Sequence, residues 1–171
     1  MSNQTDRVDD IIAQWHAARP DLRSGLPAMA LLGRLNRCNA LLAPQLGKIF
    51  AEYGLNFGEF DVLATLRRAG APFILSPTAL YATLMVSSGT MTHRLKILEN
   101  RGLISRLPNP DDSRSQLVQL SGAGKTLIDQ AVTAHLANEN ALLSNLSDAE
   151  KQALDTGLRA LLREWESGKA D

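Results

Sequence analysis

A chain of 171 residues, 44% hydrophobic and 21% charged, can bury a sizeable core and fits one domain with helical extensions, and it lacks the roughly 20-residue apolar run that spans a bilayer. Its 18 basic and 18 acidic residues cancel, which excludes a uniformly cationic nucleic-acid binder. A local one is still allowed: residues 32–120 carry ten basic and six acidic side chains, and the segments on either side are net acidic.

The single cysteine, Cys38, excludes an internal disulfide and fits a reducing cytoplasm. The acidic, polar opening stretch lacks an apolar export core, so a cytoplasmic protein is expected. Three histidines without ligand spacing give no metal site, and no cofactor motif stands out. Cys38 falls between Leu35 and Leu41/Leu42 in a helical pattern, which reads as a small half-buried core residue.

The chain reads as mostly helical. Val8, Ile11, Ile12 and Trp15 mark an amphipathic helix over 6–18, stopped by Pro20. A longer helix follows over about 27–53, closed by Gly54, with a kink or break expected at Pro44. Asn56 caps a helix over 57–69 that Gly70 ends, and Ser76 caps another from Pro77 to about Met85. Ser87 opens a helix to about Arg101, ended by Gly102. Two short apolar segments around Pro108-Asn109-Pro110-Asp111-Asp112 then read as a β-hairpin. Two last helices are expected over 122–145 and 148–166, the second with a Ser147/Glu150 capping box and a stripe of Leu154, Leu158, Leu161, Leu162 and Trp165.

The stretch "DDSRSQLVQLSGAGKT" (111–126) poses a choice of phosphate. Its end resembles a nucleotide loop, but a Walker loop needs glycine where Gln119 stands, within an apparent strand. A polar turn into a helix fits better. Its start places Asp112 and Arg114 at a hairpin tip, where the carboxylate can hold the guanidinium extended toward a narrow minor groove; a solvated turn is the plainer alternative. The helix opening "SSGTMTHRLKILENR" (87–101) shifts the balance toward DNA. Met91, Leu95 and Leu98 define its inner face, while Gly89, Thr92, His93 and Lys96 point outward and Ser87, Ser88 and Thr90 crowd its start. Small hydroxyls and a glycine let a helix end approach phosphates, and His93 and Lys96 can reach base edges or backbone.

Helix, short helix, hydroxyl-rich helix and hairpin form a mainly α, winged helix-turn-helix order with a small β-wing. The segment "SPTALYATLMVSSGTMTHRLKILENRGLISRLPNPDDSRSQLVQLSGAGKTLID" resembles the core of the MarR family of bacterial transcription regulators, its Asp-x-Arg wing being Asp112-Ser113-Arg114. The resemblance implies a homodimer on a pseudo-palindromic double-stranded operator. Residues 1–54 would hold the extra helix and a dimerisation helix, 55–121 the DNA-binding domain, and 122–171 the remaining dimerisation helices. It assigns Ser76, Thr78, Ser87, Ser88, Thr90, Thr92, His93, Lys96 and Arg114 to DNA, with Asp112 stabilising the wing.

Four further residues match the urate-responsive branch of that family. Trp15 of the extra helix, Asp61, Arg94 and Arg106 occupy the positions that form its ligand site. Plainer readings exist: a docking anchor for Trp15, a structural ion pair with an arginine for Asp61, and a phosphate or surface contact for Arg106. The resemblance implies a repressor released by a small anionic effector, urate or another purine. The alternative effector is a phenolic or aromatic carboxylate. With no nucleophile–base pair, paired carboxylates or metal cluster visible, an enzyme is not expected.

Overall fold

The computed structural model describes residues 5–84, 87–110, 112 and 115–168, with Ser88 described for its backbone alone. Helices α1 (Arg7–Ala18) and α2 (Leu26–Glu52) flank a short 3-10 turn at Pro20–Leu22. Then come α3 (Phe57–Arg68), β1 (Ile74–Leu75), α4 (Pro77–Leu84), α5 (Ser88–Asn100), β2 (Ile104–Pro108), β3 (Gln116–Leu120), α6 (Gly122–Leu142) and α7 (Asp148–Ser167). The chain divides into two compact units within α2, after Lys48.

In the N-terminal unit, Asp6 caps α1 in a reciprocal box with Asp9. Arg34 of α2 reaches both carboxylates, at 2.7 Å to Asp6. Both acids titrate below the usual carboxylate range, Asp6 chiefly because Arg34 donates to it and Asp9 chiefly through its bond from the Asp6 backbone N–H. Val8 is buried, 3.6 Å from where a Cβ on Gly33 would stand. An open groove of about 350 Å³ lined by Val8, Ile11, Ile12, Met29 and Gly33 runs beside it.

Two expectations need adjusting here. Of the kink or break expected at Pro44, the break does not occur: α2 runs for 27 residues through it, one missing donor and a local clash being outweighed by the helix on either side. Cys38 is exposed rather than half-buried, because Leu31, Leu32, Leu41 and Leu42 of the same helix are exposed too. An apolar stripe in sequence identifies a face, not what covers it.

The second unit holds the main core. Phe50 and Phe60 stack at 4.3 Å between centroids, and the His135 ring of α6 lies 5.0–5.2 Å from both. Around them Val62, Leu63, Leu66, Leu80, Val118 and Ile128 are fully buried, each contributing roughly 1.5–3 kcal/mol by leaving water. Arg67 of α3 and Lys125 share Asp129 of α6, at 2.6 and 2.8 Å.

The caps stand as expected. Asn56 and Glu59 form a reciprocal box on α3, Ser76 accepts from the Ala79 N–H, Ser87 caps α5, and Ser147 pairs with Glu150 on α7. Gly54, Gly70 and Gly102 close their helices with φ of +64°, +81° and +68°. The hairpin pairs β2 with β3, Ile104 opposite Leu120 and Arg106 opposite Val118. The sheet has a third strand that the sequence reading did not include: Ile74 and Leu75 pair with Gln119 and Val118, giving the order β1-β3-β2.

Candidate DNA-reading face and effector site

Helix α5 presents the two faces read from its periodicity. Met91, Leu95 and Leu98 are buried, while Gly89, Thr90, Thr92, His93 and Lys96 are exposed. Ser87 is exposed as well, but its Oγ accepts from the Thr90 N–H at 3.4 Å and lies 3.0 Å from the Thr90 hydroxyl. It serves the helix start before it can serve a phosphate. On α4, Thr78 is exposed and its Oγ1 accepts from the Tyr81 hydroxyl, whereas the partly buried Ser76 acts as the cap. In the wing, Ser115 donates to the Asp112 carbonyl from its N–H at 3.0 Å and its hydroxyl at 3.2 Å, and accepts from Asn109 Nδ2 at 2.7 Å. Asp112 is exposed. Arg114 and the Ser88 side chain lie outside the described residues.

The interior side of α5 also carries charge. Arg94 is partly buried and turns toward α3, where its guanidinium rests over Gly58; a Cβ on that glycine would overlap Arg94 Cζ and Nε and stand 2.7 Å from Nη2. Among the described residues no carboxylate pairs directly with Arg94, yet its charge reaches Asp61, one turn further along α3. Burial pushes the Asp61 carboxyl above its ordinary range, and the charges of Arg94, Arg68 and His135 only partly offset it. The plainer reading of Asp61, an ion pair with an arginine, is thus met by an electrostatic neighbourhood without a salt bridge among the described residues.

Arg106 is placed by strand register. Side chains of a strand alternate, so Ile104, Arg106 and Pro108 share a face, opposite Leu120, Val118 and Gln116. Ile104, Leu120 and Val118 are buried, so Arg106 lies on the core side of the wing, 25% exposed, with Nε donating to Glu99 Oε2 of α5 at 3.0 Å. A third arginine, Arg101 at the end of α5, reaches Glu59 Oε2 of α3 at 3.3 Å; that glutamate side chain is only 7% exposed. Helix α5, the hairpin and α3 are therefore joined by Arg94, Arg101 and Arg106. Trp15 lies on α1 of the N-terminal unit, 39% exposed.

Comparison with known proteins supplies the family. The model of the MarR family matches residues 55–116. The transcriptional regulator PecS of Dickeya dadantii is 43% identical over 155 residues, 91% of this chain and 90% of that one. The multiple antibiotic resistance protein MarR of Escherichia coli is 31% identical, covering 77% and 90%. The chain belongs to the MarR family.

Solved MarR structures agree with the fold. Apo wild-type MarR from E. coli aligns at TM-score 0.65 with 29% identity, over 77% of this chain and 96% of that one. A mutant MarR from E. coli complexed with operator DNA aligns at 0.68 with 26% identity, over 82% and 97%. This MarR-family protein is a DNA-binding transcriptional regulator of the PecS type, not an enzyme. No described helix is long and apolar enough to cross a membrane.

Of the four candidate effector residues, Asp61 and Arg94 come within electrostatic reach of each other, and Arg106 joins the same helix through Glu99. The sequence reading missed Gly58, Glu59, Glu99 and Arg101. Only Glu59 left a signal, as the third residue after an Asn cap.

Proposed function

We propose that this protein is a repressor whose homodimer binds a pseudo-palindromic operator and is released by a small planar anion, urate or a related purine. Residues 55–121 engage DNA through Thr78, Ser87, Ser88, Thr90, Thr92, His93, Lys96 and the wing Arg114 with its Asp112 neighbour. Residues 1–54 and 122–171 pair the two copies. The effector is held by Arg94 and Arg106 beside Asp61.

The observation that carries this reading is the direction of Arg94. A positive side chain on the recognition helix turns away from the DNA-facing side, onto α3, beside a carboxylate held in an unfavourable setting. An anion there gains charge-assisted bonds from guanidinium groups and competes with Glu99 for Arg106. It also repels Asp61. Each effect acts on α5 or on the helix it packs against, so the bound and DNA-competent arrangements differ in affinity for the anion, as release requires.

Thermal melts against urate, xanthine, salicylate and a hydroxycinnamate test the site directly. An anion that binds only the folded state stabilises it by roughly 2.7 kcal/mol at 100 times its dissociation constant. We expect urate to raise the Tm of the native chain and not that of Arg106→Ala. A rise with salicylate alone assigns the site to an aromatic acid; a urate rise undiminished in Arg106→Ala refutes the assigned residues.

A further inference from the structure

We propose that Gly58 is a positioning residue of the effector site: the space left by its missing side chain is the seat in which Arg94 is held while α5 is set for DNA, and the seat empties when an anion takes the arginine. This rests on the effector reading above.

Gly58 is buried within the first turn of α3, where glycine is a poorer helix former than alanine. Its backbone is not among those with positive φ, so conformation does not call for glycine. Space does, because a Cβ would overlap the Arg94 guanidinium. Gly89 and Gly122, also in opening turns of helices, meet nothing within 4 Å.

The seat is electrostatically lean. The first turn of a helix is the positive end of its dipole, so a guanidinium there is held by shape and packing, with Asp61 nearby as partial compensation. An anion can therefore withdraw Arg94 without first breaking a direct carboxylate pair. Meanwhile Arg101, seven residues on, stays bonded to the buried Glu59. Withdrawal of Arg94 frees the N-terminal, DNA-facing part of α5 while its far end remains fastened to α3.

The overlap falls on the mobile end of a long side chain, so alanine at 58 displaces Arg94 and leaves the backbone in place. Gly58→Ala, Arg94→Ala and the double variant form a thermodynamic cycle, read by thermal melting and by operator titration without effector. Gly58→Ala should raise Tm in the Arg94→Ala background, through helix propensity, and raise it less or lower it in the native chain. Operator affinity should fall about tenfold on Gly58→Ala alone and not change further once Arg94 is absent. Equal shifts in both backgrounds, or unaltered operator binding by Gly58→Ala, overturn the seat.

Neither readout uses urate, so both judge the seat even if no anion tested releases DNA. A third arm adds urate to each protein. Release of the native chain and little further release of Gly58→Ala supports the link between seat and effector, whereas an undiminished response in Gly58→Ala breaks that link and leaves the effector reading standing.

Discussion

Asp61 carries its charge at a cost, and the sign of that cost is testable. Its folded-state pKa lies above the ordinary 3.8, chiefly through burial. Between the two values the native state binds more protons than the unfolded chain, so this group's contribution is fully present below 3.8 and is lost as pH rises through the folded value. At neutral pH Asp61 therefore opposes folding. Asp61→Asn should melt higher than the native chain at pH 7, and the advantage should shrink as the pH is lowered toward 4; an equal or lower Tm at pH 7 contradicts the setting described. Glu59 is the opposite case. It closes the α3 capping box and accepts from Arg101, so Glu59→Ala should lose about 1–2 kcal/mol in denaturant unfolding. Asp61 was legible as a carboxylate near an apolar face, because helical spacing places it there. The lack of a direct ion pair among the described residues was not, since it depends on where a side chain 33 positions away comes to rest.

At the scale of elements, periodicity and caps carried most of the reading. The faces of α5, the hairpin and four helix starts, at Asn56, Ser76, Ser87 and Ser147, follow from local signals that act within one turn of chain. β1 escaped because two residues have no period; Ile74 and Leu75 become a strand only by pairing with β3, more than 40 positions away. Pro44 does not end α2 for a related reason, since a penalty at one residue does not decide a helix of 27. The glycine-rich opening of α6, which raised the question of a nucleotide, has a packing role instead. A Cβ on Gly124 would run into the Leu103 carbonyl and stand 2.9 Å from Leu120 Cδ1. The obstructing carbonyl is backbone, which cannot swing aside as an arginine does, so Gly124→Ala should cost about 1–3 kcal/mol or more. Gly122→Ala, with open space around it, should be nearly neutral. Equal costs in the two variants would remove the packing explanation.

At the scale of the whole molecule, α7 has no buried residue, and Leu154, Leu158, Leu162 and Trp165 leave an apolar stripe on its surface. Leu136 and Leu142 of α6 and Leu143 just after it are exposed as well. Such contiguous apolar surface is expected to meet a partner, and a second copy is the partner proposed. Leu158→Glu with Leu162→Glu should halve the mass seen by sedimentation and weaken operator binding, because two recognition helices then no longer act as one unit. A dimer of undiminished stability would place the interface elsewhere. The central claim is that an anion held by Arg94 and Arg106 releases this regulator from DNA. Its most direct test is operator affinity at fixed salt, measured with and without saturating urate for the native chain and for Arg94→Ala. Urate should weaken native binding by about tenfold or more, a coupling of at least 1.4 kcal/mol, and should leave the Arg94→Ala affinity where it was. Operator binding by the native chain that is indifferent to urate, or an Arg94→Ala protein released as readily as the native one, would contradict it.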